Sequence, residues 1–69
     1  MKILAIQLLD CKFELGKTAP ANTEIIENIL PVIEDGEFIG YEVELSSKDI
    51  FIPYAQVQWV EKEKSNILT

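Results

Sequence analysis

The segment 50–61, IFIPYAQVQWVE, constrains the fold of this chain more than any other stretch, because its apolar run is broken only by a proline and two glutamines. Pro53 has no backbone N–H, so we expect a strand to end at Ile52. Tyr54 and Ala55 then form a tight turn before a second strand begins. The sequence therefore predicts a strand, a one-turn corner and a second strand.

Residues 1–15 predict a first strand, or two strands joined by a bend. The odd positions are mostly apolar and are predicted to face the core: Ile3, Ala5, Leu9, Cys11, Phe13 and Leu15. The even positions near the start, Leu4, Ile6 and Leu8, form a second apolar stripe that needs cover from the same chain or another. Burial on both faces, or a change of parity at a bulge near Asp10, would cover it within one molecule.

The middle of the chain predicts a loop followed by a hairpin. Residues 16–22 contain Gly, Pro and Asn without periodicity. Residues 23–30 permit two turns of helix, but their three Ile residues favour an extended segment. Asp35 and Gly36 stand between apolar runs, which is a strong signal for a hairpin turn.

The clearest strand spans residues 37–45, where apolar and largely acidic positions alternate and Gly40 marks a bend. Residues 46–49 form a polar turn into residues 50–52, so these two strands make an antiparallel hairpin. Residues 56–62 form the last strand, with Val57 and Trp59 on one side and Val60 on the other. Residues 63–69 are expected to be a flexible tail.

A chain of 69 residues is one small domain with a marginal core, predicted here to span residues 1–62. Its single Cys and lack of His exclude an intrachain disulfide and argue against a structural zinc site. A protein partner or a second copy is the remaining source of stability. The apolar run 3–9 is too short for a membrane span and lacks a cleavage site, so we expect a cytoplasmic protein.

The net charge of −6 is concentrated in the middle of the sequence. Residues 24–49 contain eight acidic residues against Lys48, a local net charge of −7, and the chain has no Arg. This distribution argues against nucleic-acid binding and suits a basic protein partner.

Candidate residues for catalysis are weak. Glu42 and Glu44 lie about 7 Å apart along one strand face, which is best explained as a solvated outer surface. The acids around Gly36 match no calcium loop, and Cys11 has no base to activate it. We predict no enzymatic activity, no metal and no cofactor. The candidate partner-binding residues are Asp35, Glu37, Glu42, Glu44 and Trp59, the Trp being hard to bury fully in so small a domain.

The segments 36–45 (GEFIGYEVEL) and 50–61 resemble the C-terminal half of small SH3-like proteins encoded by bacteriophages and prophages. The resemblance implies a mainly β fold, a small SH3-like or Sm-like antiparallel barrel of four to five strands. It also implies an accessory role exerted by binding, often to a host protein in the host cytoplasm, and no catalytic residues.

The leading hypothesis is a non-enzymatic protein-binding module whose acidic surface meets a basic partner. A self-assembling structural module, Sm-like or virion-accessory, is the first alternative, and an OB-type nucleic-acid binder is the second. The stripe Leu4, Ile6 and Leu8 predicts a homodimer or small oligomer formed through the first strand. We expect no binding to nucleic acid or membrane.

Overall fold

A computed structural model describes residues 2–64 and shows a mainly β chain, as the sequence predicts. A short 3-10 helix, Tyr54–Gln56, separates the last two strands. The strands are β1 (Ile3–Gln7), β2 (Lys12–Glu14), β3 (Asn28–Glu34), β4 (Glu37–Glu44), β5 (Asp49–Pro53) and β6 (Trp59–Lys62).

The strands form two antiparallel three-stranded sheets. The first sheet has the order β2-β1-β6, and the second has the order β3-β4-β5. A long loop connects β2 to β3. At its end the Glu27 N–H donates a hydrogen bond of 2.8 Å to the Glu44 oxygen, which joins the loop to the second sheet. Within residues 2–64 the two sheets do not join into a closed barrel.

The turns follow the local sequence. Asp35 and Gly36 connect β3 to β4 with φ angles of 51° and 79°, the positive values that a two-residue hairpin turn requires. The Leu45 N–H donates to the Lys48 oxygen at 2.8 Å and closes the turn between β4 and β5. The predicted corner after Pro53 is confirmed, because the Val57 N–H donates to the Tyr54 oxygen at 3.0 Å.

The predicted loop at residues 16–22 is confirmed, although its residues are tied to the following segment. The Ile26 N–H donates to the Lys17 oxygen and the Gly16 N–H donates to the Ile26 oxygen, both at 2.9 Å. These bonds bring Ala19 and Ile26 into the core, where both are buried. Residues 23–30 form no helix, as the sequence favoured: residues 23–27 are irregular apart from a bridge between Ile25 and Thr18, and β3 begins at Asn28.

The core lies between the inner faces of the two sheets. In the first sheet Phe13, Ile6 and Val60 form a cross-strand row, and in the second Ile29, Val43 and Ile50 form another. The largest fully buried side chains are Ile6, Ile26 and Val43. Successive residues of a strand lie on opposite faces of the sheet. The residues that alternate with these two rows along each strand therefore point outward.

The structure corrects the prediction for the first strand. Ile6 is completely buried, whereas Leu9, predicted to face the core, is 85% exposed in the turn after β1. Between Ile3 and Ala5, β1 has one extra residue opposite β6, which changes the parity of the strand at Leu4 rather than near Asp10. Ile3 and Ile6 therefore both face the core.

The stripe Leu4, Ile6 and Leu8, predicted to mediate self-association, therefore does not form a continuous exposed surface. Ile6 lies inside, and Leu4 and Leu8 are half-buried, with Leu8 packed against the core. The last strand begins at Trp59 instead of residue 56, because residues 54–56 form the 3-10 helix. The predicted tail, 63–69, lies mostly outside the described residues. No helix within residues 2–64 is long and apolar enough to span a membrane.

Candidate functional site: the acidic outer face of the second sheet

The outer face of the second sheet brings acidic and apolar side chains together. Its rows are set by strand register, because directly paired residues share a face. One row consists of Asn28, Glu44 and Asp49, and the next consists of Leu30, Glu42 and Phe51. We call the three acids of these rows, Glu42, Glu44 and Asp49, the carboxylate cluster.

The carboxylate cluster concentrates negative charge. One carboxylate oxygen from each of its three residues lies within 4.8 Å of the others. Glu44 is paired directly with Asp49 across the strands, an arrangement of like charges that destabilises a sheet. Among the described residues the one ion pair is Lys12–Glu14, on the other sheet. The cluster is therefore not neutralised by a lysine of the described chain.

Apolar side chains border the cluster. Phe51 is 48% exposed and Leu30 is 38% exposed, and they flank Glu42 on either side. Beside them, Gly40 has a φ of 157°, and a Cβ there would overlap the backbone oxygen of Ile52 and lie 3.0 Å from Cζ of Phe51. Glycine is needed at this position because Phe51 and the β5 backbone approach β4 closely.

The carboxylate cluster is also the group of described residues whose spacing would suit a metal ion. Carboxylate oxygens suit Ca²⁺ or Mg²⁺, but Ca²⁺ takes six to eight oxygen ligands. Three carboxylates on a solvated face leave most of those positions to water, and Asp49 is exposed. The arrangement is better suited to long-range attraction of positive charge than to a coordination site.

The structure brings together only part of the predicted partner-binding set. Glu42 and Glu44 share the outer face of β4, whereas Asp35 and Glu37 lie at the β3–β4 turn. Trp59 belongs to the first sheet, where it is 49% exposed and its ring centroid is 5.2 Å from Nζ of Lys12. The predicted partial exposure of Trp59 is confirmed.

Sequence reasoning missed Asp49 and Phe51 as members of the acidic face. The predicted hairpin contained the information needed to include Asp49. A short polar turn after residue 45 places Asp49, the residue before Ile50, opposite Glu44. Residue alternation in both strands would then have placed Phe51 beside Glu42.

Glu24 was also missed, and it connects the long loop to the turn between β4 and β5. The Ser46 hydroxyl donates to Oε1 of Glu24 at 2.6 Å, the Ser47 N–H donates to the same oxygen at 2.8 Å, and the Ser47 hydroxyl donates to Oε2 at 2.6 Å. The hydrogen bonds from Ser46 and then Ser47 lower the pKa of Glu24 below its usual value. The ionised carboxylate therefore holds the loop and the turn together.

Cys11 has the properties of a packing residue. It is half-buried and packs against the core, and this burial raises the pKa of its thiol, with smaller contributions from the charge of Asp10 and a hydrogen bond to it. A raised pKa keeps the thiol protonated at neutral pH, which disfavours a nucleophilic role.

Comparison of the chain with known protein families, with curated proteins and with solved structures found no match.

Proposed function

We propose that this chain is a non-enzymatic protein-binding module that meets a basic partner surface with the outer face of its second sheet. The observation that supports the proposal is the direct pairing of Glu44 with Asp49, whose carboxylate oxygens lie within 4.8 Å of one from Glu42. Exposed Phe51 and Leu30 lie beside these acids. Like charges paired across strands reduce the stability of the free protein. Local conflicts of this kind are typical of functional surfaces, and a basic partner would relieve this one.

The proposal includes an SH3-like fold, which the order of the elements supports. Three consecutive strands, β3, β4 and β5, form one sheet, a 3-10 helix follows β5, and β6 then returns to pair with β1. A role as a phage accessory protein that modulates a host protein rests on the resemblance of residues 36–61 alone.

The test compares two triple variants with the same change in charge. Glu42→Gln/Glu44→Gln/Asp49→Asn neutralises the carboxylate cluster, and Glu34→Gln/Asp35→Asn/Glu37→Gln neutralises the β3–β4 turn. Asn at position 35 tolerates the positive φ found there. Each bait is incubated with native cell lysate, and captured proteins are quantified by mass spectrometry against the wild-type bait.

We expect basic proteins that are captured by the wild type and by the turn variant to fall about tenfold or more with the cluster variant. Equal losses with both variants would indicate non-specific charge attraction and contradict the assigned face. Unchanged capture by the cluster variant would contradict the proposal itself.

A second candidate function is self-assembly through the edge strand β3. Leu30 and Ile33 are exposed on this strand, at 38% and 67%, and an edge strand offers unpaired backbone groups to a second copy. Pro31 removes one of the donors that such pairing would use. Light scattering across a range of concentrations tests this function, because Ile33→Lys should convert any oligomer to a monomer of 7.8 kDa.

A further inference from the structure

A cleft opens between the two sheets, on the opposite side of the second sheet from the carboxylate cluster. Its volume is about 350 Å³, at the lower end of the range for small-molecule sites. Both sheets contribute to its walls. The lining residues are Ile3, Pro31, Phe38, Tyr41 and Lys62.

Each sheet has a β-bulge beside the cleft. In the first sheet the extra residue, Leu4, lets Ile3 pair with Lys62. In the second sheet the register shifts between Val32 and Ile33, because β4 has an extra residue at Ile39. Bulges redirect side chains and are common next to binding sites.

The second bulge turns Phe38 to the inner side of the sheet. Without it, Phe38 would share the outer face with Gly40 and Glu42. Instead its ring makes edge-to-face contacts with Tyr41, at a centroid distance of 5.0 Å and an interplanar angle of 72°, and with Tyr54, at 5.4 Å and 76°. These contacts fix an aromatic wall on one side of the cleft.

Among residues 2–64, Lys62 is the one charged residue that lines the cleft. Lys62 and Val60 face the same side of β6, and Glu61 between them faces the other side by alternation. No carboxylate of residues 2–64 lies within ion-pair distance of Lys62. The described residues therefore give the cleft one positive charge beside apolar side chains, in a protein whose net charge is −6.

We propose that the cleft binds a small organic monocarboxylate with an aromatic or branched aliphatic body. The body packs against Phe38, Tyr41 and Ile3, and the carboxylate accepts a hydrogen bond from the Lys62 ammonium group. One lysine matches a single negative charge, whereas a dianionic phosphate needs more donors. Burial raises the pKa of Tyr41, so its hydroxyl stays protonated at neutral pH.

The test uses a matched pair of probes, 3-phenylpropanoate and its neutral amide, titrated into ¹⁵N-labelled full-length protein and followed by amide chemical shifts. The wild type should bind the anion roughly three- to tenfold more tightly than the amide, the contribution of one partly solvated charge-assisted contact. The largest shifts should occur at residues 3, 38, 41 and 62.

Two lysine variants separate the local charge from the overall charge. Lys62→Met keeps the alkyl body of the side chain and should bind the two probes equally. Lys48→Met makes the same change in net charge at the β4–β5 turn and should retain the preference for the anion. Circular dichroism verifies the fold of each variant, and both lysines are exposed, so we expect neither substitution to unfold the protein.

Three results would overturn the proposal. The wild type would show no saturable shift at about 10 mM probe, a concentration at which even millimolar affinity is measurable. The shifts would map to residues 8–10, 55, 56 and 58, which line a different depression. The preference for the anion would survive in Lys62→Met.

Discussion

The outer faces of the two sheets arrange their charged side chains differently. On the first sheet Lys12 lies between an acid and an aromatic ring, with Nζ 3.8 Å from Oε1 of Glu14 and 5.2 Å from the centroid of Trp59. Gln7, between the strands that carry Lys12 and Trp59, adds no charge. On the second sheet three carboxylates lie within 4.8 Å of one another. Opposite charges therefore meet on one face, and like charges on the other.

The difference identifies the second sheet as the one whose outer-face charges reduce the stability of the fold. Both sheets have three strands and the same antiparallel pairing, so sheet formation alone does not explain the carboxylate cluster. The Lys12–Glu14 pair along β2 shows that this chain can place opposite charges side by side on an outer face. We therefore regard the unpaired acids on the second sheet as the better candidate for a binding surface.

The contrast between the two sheets requires Ile6 to face the core and Gln7 to face outward, and Ile6→Glu tests this orientation. Ile6 is fully buried, so an unpaired carboxylate there should unfold the protein or reduce the free energy of unfolding by more than about 4 kcal/mol. Gln7→Glu, on the opposite face of the same strand, is the control. It loses the hydrogen bonds from the Gln7 amide to the Leu8 and Cys11 oxygens but places its charge on the outer face, and it should remain folded. A folded Ile6→Glu monomer, seen by circular dichroism and light scattering, would restore the surface stripe predicted from sequence.

The second sheet is tested by Gly40→Ala. The added methyl group would overlap the Ile52 backbone and press on Phe51, so we expect a loss of about 2–4 kcal/mol in chemical denaturation. Gly36→Ala is the control, because Gly36 also has a positive φ but no atom near its Cβ position. Its cost should be only the backbone strain, about 1 kcal/mol. Equal losses in both variants would show that β5 does not approach Gly40 closely.

Local signals predicted most of the second sheet. The Asp35-Gly36 turn, the alternation from residue 40 onward and the corner at Pro53 each depend on neighbouring residues, and each is found in the structure. Predicting the faces of the first strand failed because they depend on pairing with a strand more than 50 residues away. The extra residue at Leu4 is visible only when β1 is aligned with β6.

The candidate site was also predicted only where local sequence is sufficient. Glu42 and Glu44 share a face by simple alternation, so the sequence was sufficient to group them. Grouping them with Asp49 required the register of the β4–β5 hairpin, and separating them from Trp59 required knowing that Trp59 belongs to the other sheet. The Phe38–Tyr41 contact was hidden by the bulge at Ile39, which changes the face on which Phe38 lies.

A smaller effect is expected from reversing one charge on each outer face. Glu44→Lys should raise the free energy of unfolding by about 0.5 kcal/mol, because it replaces a repulsive pair with Asp49 by an attractive one. Lys12→Glu should lower it by a similar amount, about 0.5 kcal/mol, because it removes the contacts with Glu14 and Trp59. Both changes should shrink at about 1 M salt, where screening is strong. Changes of the same sign in the two variants would remove the contrast between the faces.

The smallest effect concerns Glu24, an acid near the second sheet that, unlike the carboxylate cluster, has hydrogen-bond donors. The pKa of Glu24 is lowered in the folded protein, so its ionisation adds stability above the pKa of the unfolded chain. That stability is lost as the pH falls through the lower, folded-state pKa. Glu24→Gln should therefore be slightly less stable than the wild type at pH 7, and the gap should close in acid.

The measurement for Glu24 is urea denaturation at a series of pH values between 7 and the acid limit of folding. Glu27→Gln removes one negative charge from the same segment without removing an acceptor for Ser46 or Ser47, and it corrects for the change in net charge. Because Glu24 is on the surface, solvent screening keeps the gap small. A gap that is constant with pH, or equal in the two variants, would show that the ionised carboxylate does not hold the loop to the β4–β5 turn.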